Sequence, residues 1–132
     1  MESGDGLGGY SKGARAEREL FALLTEKGYS VVRSAGSGVN AISPDLVAIK
    51  LGRALSIECK AWDRGSLALD NEQFQKLAEW EANTSFPAFV AWRMNGKGWF
   101  FIKLAEFTKG SSAYNVTKKA AMQLNRKLED VS

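Results

Sequence analysis

Three carboxylates and one lysine are the residues of this sequence best suited to chemistry. Asp45 opens an apolar run, Glu58 and Lys60 are separated by a single residue, and Glu17 lies earlier in the chain. The 132 residues include no histidine and one cysteine. These counts exclude histidine-based triads, histidine–metal sites and an intramolecular disulfide. Any acid–base or metal chemistry must therefore come from carboxylates, lysines and tyrosines.

Carboxylates that converge without histidine make a hard, oxygen-rich site, which favours Mg²⁺ or Mn²⁺ over zinc. A divalent ion in such a site lowers the pKa of a bound water and neutralises charge on a phosphodiester. A lysine beside it can orient or deprotonate that water, or stabilise the transition state. The backbone carbonyl of Cys59, between Glu58 and Lys60, offers one more oxygen ligand. A set of carboxylates and a lysine could therefore support metal-assisted hydrolysis of a phosphodiester.

The first element that must position these groups is a helix predicted over residues 12–27, which ends at Gly28. Glu17 lies three residues before Leu20 and seven before Leu24, within the apolar stripe of this helix. A carboxylate on a core-facing position is costly unless it is paired or bound to metal. Glu17 is therefore a local anomaly of the kind that often marks function.

Strands are predicted over residues 29–33, 46–49 and 54–60, with a hairpin turn at 52–53. In a hairpin, the start of one strand lies beside the end of the next. Asp45 is therefore expected beside residues 58–60. Alternation places Glu58 and Lys60 on one face of their strand and Cys59 on the other.

The rest of the chain predicts a second helix over 70–83, two strands at 87–92 and 98–102, and a last helix near 118–128. The order α-β-β-β-α-β-β predicts an α/β or α+β sandwich around one mixed sheet, and of these two classes we favour α/β.

The basic residues are concentrated in the last third of the chain. Between Arg93 and Lys127 there are eight basic residues and one acid, which leaves ten basic residues and fourteen acids elsewhere. The net charge is only +3, with a pI of about 9.1, because the basic last third is offset by an acidic remainder. The basic segment could bind a polyanion such as nucleic acid, or it could be a solvated tail.

No apolar run is long enough to predict a membrane span, and no signal-peptide pattern is present at the N-terminus. Together with the free thiol, this predicts a cytoplasmic protein with no membrane partner.

The sequence resembles the archaeal-type Holliday junction resolvases, a family with viral members within the PD-(D/E)xK nuclease superfamily. The motifs that carry the resemblance are KGARAEREL at 12–20, VRSAGS at 32–37, PDLVA at 44–48 and IECK at 57–60. Their joint occurrence is far more specific than any one of them.

The resemblance implies a restriction-endonuclease-like core, with a mixed sheet of about five strands flanked by helices. The glycine-rich composition of residues 1–11 predicts a flexible arm, longer than the family's. A nuclease domain is expected over 12–110, followed by a basic segment over 111–132 that could form a helix. The resemblance also implies a homodimer that nicks opposed strands of a four-way DNA junction with Mg²⁺. Mn²⁺ is expected to substitute, and no small-molecule cofactor is expected.

The resemblance also assigns site residues. It implies metal ligands at Glu17, Asp45, Glu58 and the Cys59 carbonyl, and a catalytic lysine at Lys60. The expected DNA contacts are Lys12, Arg15, Arg18, Arg33, Gly36, Ser37 and Gln73, the last also as a support for the lysine.

Alternatives remain open at this stage. Glu17 could pair with Lys12 or Arg33, and Glu58 and Lys60 could face solvent. A nuclease of this fold could cut duplex, flap or damaged DNA, because a fold does not fix a substrate. A non-catalytic junction-binding protein is a further alternative.

Overall fold

The structure is a computed structural model that describes residues 5–34 and 44–131. Its helices are α1 (Asp5–Glu26), α2 (Asn71–Thr84), α3 (Lys118–Leu124) and α4 (Leu128–Val131). Its strands are β1 (Ser30–Arg33), β2 (Leu46–Lys50), β3 (Arg53–Lys60), β4 (Ser66–Asp70), β5 (Ala88–Met94), β6 (Gly98–Lys103), β7 (Thr108–Lys109) and β8 (Ala113–Thr117). Within the described parts, no helix is both long and apolar enough to cross a membrane.

The main sheet has five strands in the order β1-β2-β3-β5-β6. The strands β3 and β5 run parallel, and every other neighbouring pair in this sheet is antiparallel. The predicted mixed sheet of about five strands is therefore confirmed. The smaller sheet, in the order β4-β8-β7, was not predicted.

Helices and the small sheet cover the two faces of the main sheet. On one face, Leu20 and Leu24 of α1 pack with Ile57 and Phe101. On the other, Leu77 of α2 packs against side chains of β5 and β6. Because β3 alternates between these two faces, its Ser56, Glu58 and Lys60 side is directed toward α2.

The turn between β2 and β3 sets the register that the site depends on. Leu51 and Gly52 both have positive φ, of 51° and 79°, and Lys50 pairs with Arg53. This is the geometry of a two-residue primed turn, centred one residue earlier than predicted. Leu46 then lies opposite Ile57, so Asp45 falls alongside Glu58.

The first helix is longer than the sequence pattern predicts. It begins at Asp5 rather than at residue 12, so residues 5–11 are helical. Extending an existing helix adds a hydrogen bond per residue without a new nucleation cost, which offsets the low helix propensity of glycine. Residues 1–4 lie outside the described part.

The C-terminal segment is part of the fold rather than an appendage to a domain that ends at 110. The strand β8 is central in the small sheet, and the Phe101 N–H donates to the carbonyl of Arg126 at 2.8 Å. In place of one helix over 118–128 there are two, because Asn125 adopts φ 46° and ends α3.

Candidate active site

Asp45 is held between the ends of two strands. Its Oδ2 accepts a hydrogen bond from the Cys59 N–H at 2.9 Å, and its carbonyl accepts from the Ser34 N–H at 2.8 Å. The carboxylate is therefore fixed to the backbone between Glu58 and Lys60. This is the arrangement that the hairpin argument predicts.

Glu58, Lys60 and Gln73 form a connected group on the α2 side of β3. The Gln73 Nε2 donates to Glu58 Oε2 at 2.7 Å, and Gln73 Oε1 lies 3.5 Å from Lys60 Nζ. Lys60 Nζ lies 3.8 Å from Glu58 Oε2. Asp70 caps α2 by accepting the Gln73 N–H at 2.7 Å, which fixes the first turn of the helix and hence the Gln73 side chain.

Glu58 is buried, Asp45 is half-buried, and the negative charges of the two carboxyl groups repel each other. Glu58 is only 7 % exposed. Burial first, and the charge of Asp45 second, raise the pKa of Glu58 to about 7, although Lys60 and Gln73 act in the opposite direction. Burial also raises the pKa of Asp45, and the charge of Glu17 adds to this, against the hydrogen bond from Cys59.

These donors fit a hard divalent cation. Two neighbouring carboxylates repel each other, and a cation between them stabilises both. Mg²⁺ and Mn²⁺ prefer oxygen donors of this kind. Within the described residues, no three His, Cys, Asp or Glu side chains are gathered closely enough to hold a metal ion. Asp45 and Glu58, with the Cys59 carbonyl between Glu58 and Lys60, are the oxygen donors that could hold such an ion, and the charge of Glu17 acts on both carboxylates.

Glu17 is paired with Arg33. The Arg33 Nε donates to Glu17 Oε1 at 2.8 Å, and the side chains are 16 % exposed for Glu17 and 58 % for Arg33. One of the two ion pairs considered from the sequence is therefore present, and it explains how the core-facing carboxylate is tolerated. Arg33 is the last residue of β1 and lies opposite Leu46. The ion pair therefore brings Glu17 to the same end of the sheet as Asp45.

Residues 9–132 match the family model of the archaeal Holliday junction resolvases. The chain belongs to this family. It is 34 % identical over 104 residues to the crossover junction endodeoxyribonuclease Hjc of Methanocaldococcus jannaschii, covering 78 % of this chain and 74 % of the relative. It is 35 % identical over 92 residues to that of Archaeoglobus fulgidus, covering 69 % and 68 %. The family predicted from the sequence motifs is confirmed.

Solved structures support the fold. The Holliday junction resolvase Hjc of Archaeoglobus fulgidus superposes with a TM-score of 0.75 at 24 % identity, covering 85 % of this chain and 88 % of that one. A bacterial homing endonuclease has a TM-score of 0.53 at 18 % identity, covering 83 % and 75 %. Both likenesses are consistent with the predicted restriction-endonuclease-like fold. Membership of this family implies a nuclease that depends on a divalent metal and binds branched DNA.

The basic residues expected to contact DNA in a resolvase are distributed unevenly. Arg15 and Arg18 are exposed on α1, and Lys12 forms an ion pair with Asp63 rather than with Glu17. Gly36 and Ser37 lie outside the described residues. The structure therefore gathers six predicted site residues at one end of the main sheet: Glu17, Arg33, Asp45, Glu58, Lys60 and Gln73.

One residue near the site was missed by the sequence analysis. The ring centroid of Trp62 lies 5.8 Å from Lys60 Nζ and 4.8 Å from the guanidinium carbon of Arg64. The Trp62 carbonyl accepts a hydrogen bond from the buried Trp92 side chain at 2.9 Å. The available signal was its position two residues after Lys60.

Proposed function

We propose that this chain resolves four-way DNA junctions by paired nicks, with Glu17, Asp45, Glu58 and Lys60 as its catalytic residues. The observation that carries the proposal is the buried Glu58 next to the half-buried Asp45 and beside Lys60, in a chain of the resolvase family. Mg²⁺ is the expected ion, and Mn²⁺ is expected to substitute because both are hard cations that accept oxygen ligands.

Asp45, Glu58 and the Cys59 carbonyl would hold the ion, with Glu17 as a further ligand. When bound, the ion supplies an acidified water and neutralises charge on the phosphodiester. The Lys60 ammonium is placed to stabilise the charge that develops on the attacked phosphate. Gln73 keeps the Glu58 carboxylate and the Lys60 ammonium oriented toward each other. Arg33 carries positive charge to the same end of the sheet and holds Glu17.

The junction itself suggests a homodimer. A four-way junction offers two equivalent scissile positions, and a dimer with two-fold symmetry can engage both. Selectivity would come from junction shape and backbone contacts rather than base edges. The proposed phosphate contacts are Lys12, Arg15, Arg18, Arg33, Gly36, Ser37 and Gln73. The proposed place of action is the cytoplasm of an archaeal or virus-infected cell.

Cleavage of a synthetic four-way junction, mapped on all four strands, tests the proposal. The expected result is symmetric nicks on two opposed strands in Mg²⁺, and no cleavage of linear duplexes made from the same arms. Equal cutting of the linear duplexes would indicate a nuclease of the same fold that acts on DNA other than junctions.

The variant Asp45→Asn separates catalysis from binding. It is expected to abolish nicking in Mg²⁺ while binding the junction in EDTA nearly as well as the unmodified protein. Glu72→Gln, which changes an acid whose side chain is 81 % exposed on α2, is the control and should nick normally. An unmodified protein that binds junctions without metal-dependent nicking would show a binding protein instead of an enzyme.

A further inference from the structure

A cleft of about 410 Å³ lies between α1 and the carboxyl ends of β3 and β5. Its polar lining consists of Lys12, Arg15, Glu19, Arg93 and Asn95. Its lining also includes Ala16, next to Glu17, and Ala61, next to Lys60, so the cleft begins where the candidate active site ends. Ligands of open α/β sheets characteristically bind outside the carboxyl ends of the strands.

One wall of the cleft is formed by the ion pair of Arg93 and Glu19, whose charges neutralise each other. Arg93 Nε donates to Glu19 Oε1 at 2.7 Å, and a second guanidinium nitrogen lies 3.4 Å from Glu19 Oε2. Trp99 Nε1 also donates to Glu19 Oε1 at 2.8 Å. Arg15 differs from Arg93, because it is exposed and makes no hydrogen bond or ion pair with another side chain in the described ranges. Arg15 is therefore the cation of the cleft that is available to a ligand.

Beside the cleft, the Asp63 carboxylate accepts hydrogen bonds from two donors that could bind a phosphate instead. Asp63 accepts a hydrogen bond from the Lys12 ammonium, and its Oδ1 accepts from the Asn95 backbone N–H at 3.1 Å. An ammonium group and a backbone N–H are donors that proteins commonly offer to DNA phosphates. The Asp63 side chain is 41 % exposed, so it can leave these donors without opening the core.

We propose that the cleft is a second phosphate subsite for the DNA strand that passes through the active site. In the complex, Arg15 contacts a backbone phosphate, and that phosphate replaces the Asp63 carboxylate on the Lys12 ammonium and the Asn95 N–H. This inference rests on the proposed function, because the cleft adjoins Lys60 at Ala61 and would receive only a DNA strand that the active site holds.

The exchange has a distinctive consequence. Binding must displace Asp63 and hold a phosphate near its charge, so removing that charge strengthens binding. A purely structural Asp63 would behave in the opposite way, because its removal would loosen Lys12 and weaken binding.

Equilibrium binding of a labelled four-way junction in EDTA, over a series of salt concentrations, tests the subsite. Arg15→Gln is expected to weaken binding about tenfold and to lower the salt-dependence slope by about one. Arg53→Gln is the matched control, since Arg53 is also exposed but lies at the opposite end of β3. Equal effects of the two arginine variants would overturn the subsite.

The acidic variants test the exchange. Asp63→Asn is expected to strengthen binding several-fold, and more than Glu79→Gln, which removes an exposed charge from α2. This gain should shrink in a Lys12→Gln background, because one of the two exchanged donors is the Lys12 ammonium. Weaker binding by Asp63→Asn, or a gain that is undiminished without Lys12, would overturn the exchange. Thermal melting of each variant verifies that it is folded.

The two proposals fail in distinguishable ways. If the unmodified protein neither binds nor nicks the junction, the proposed function is wrong. If it binds and nicks the junction while Arg15→Gln behaves like Arg53→Gln, the subsite and the proposed Arg15 contact are wrong, and the proposed junction cleavage stands.

Discussion

Gln73, at the start of α2, joins Glu58 to Lys60 across the end of β3. Its Nε2 lies 2.7 Å from Glu58 Oε2, and its Oε1 lies 3.5 Å from Lys60 Nζ. A single amide therefore touches both polar side chains of the Glu-Cys-Lys motif. Because a helix presents this amide, the orientation of the motif depends on how α2 docks against the sheet.

Replacing Gln73 by alanine is expected to slow single-turnover nicking by about tenfold, with a smaller effect on junction binding. The physical reason is that Glu58 and Lys60 lose the group that holds them in one arrangement. Gln75→Ala is the matched control, since Gln75 is exposed on the same helix. Equal rates for the two variants would show that Gln73 has no positioning role.

The stability of the metal-free protein should fall as the pH rises. Burial and the charge of Asp45 raise the pKa of Glu58 from 4.5 to about 7. A folded-state pKa above the unfolded value gives stability that is fully present below pH 4.5 and lost as the pH rises through about 7. The expected loss is on the order of 3 kcal/mol.

Urea denaturation in EDTA between about pH 5 and pH 8 measures this loss. Glu58→Gln should flatten the dependence, whereas Glu79→Gln, on the exposed side of α2, should retain it. A pH-independent stability of the unmodified protein would contradict the burial of a titrating Glu58.

Divalent metal should stabilise the folded protein in the absence of DNA. A ligand that binds only the folded state adds about 2.7 kcal/mol when its concentration is 100 times its dissociation constant. Mg²⁺ or Mn²⁺ is therefore expected to raise the melting temperature, and Asp45→Asn should abolish the rise. Glu72→Gln should retain it, because its side chain is 81 % exposed on α2. An equal rise in both variants would place the ion elsewhere.

The C-terminal segment should contribute to the stability of the whole domain. Val116 of β8 is 4 % exposed within the core cluster that contains Leu77 and Trp92. Val116→Ala is expected to reduce the free energy of unfolding by about 2 kcal/mol, measured by denaturant titration. Val32→Ala, at a position that is 59 % exposed, should change it by less than about 0.5 kcal/mol. Similar values for both would indicate a segment that is only loosely attached.

The hairpin that brings Asp45 beside Glu58 could be predicted from the sequence because its determinants are local. Alternation fixes which face Glu58 and Lys60 share, and a two-residue turn fixes the partner of each strand position. Asp45 was therefore placed beside Glu58 without any tertiary information, and the register confirms it. The second helix was predicted equally well, since Asp70 is a local cap.

The small sheet could not be predicted, because β8 has no strong pattern of its own. Its position depends on pairing with β4, which is distant in sequence, and on the stacking of Tyr114 against Phe74, whose ring centroids are 3.6 Å apart. The start of α1 was also mispredicted, since local glycine propensity was outweighed by the extension of an existing helix.

The sequence by itself determined the chemical character of the site: oxygen ligands and a lysine, without histidine, brought together by one hairpin. Only the tertiary structure decided which charges pair. Glu17 binds Arg33, Lys12 binds Asp63, and Gln73 links Glu58 to Lys60. The reason is physical. Strand period and turn geometry act over a few residues, whereas an ion pair between distant residues forms only where packing of the whole chain brings its partners within reach.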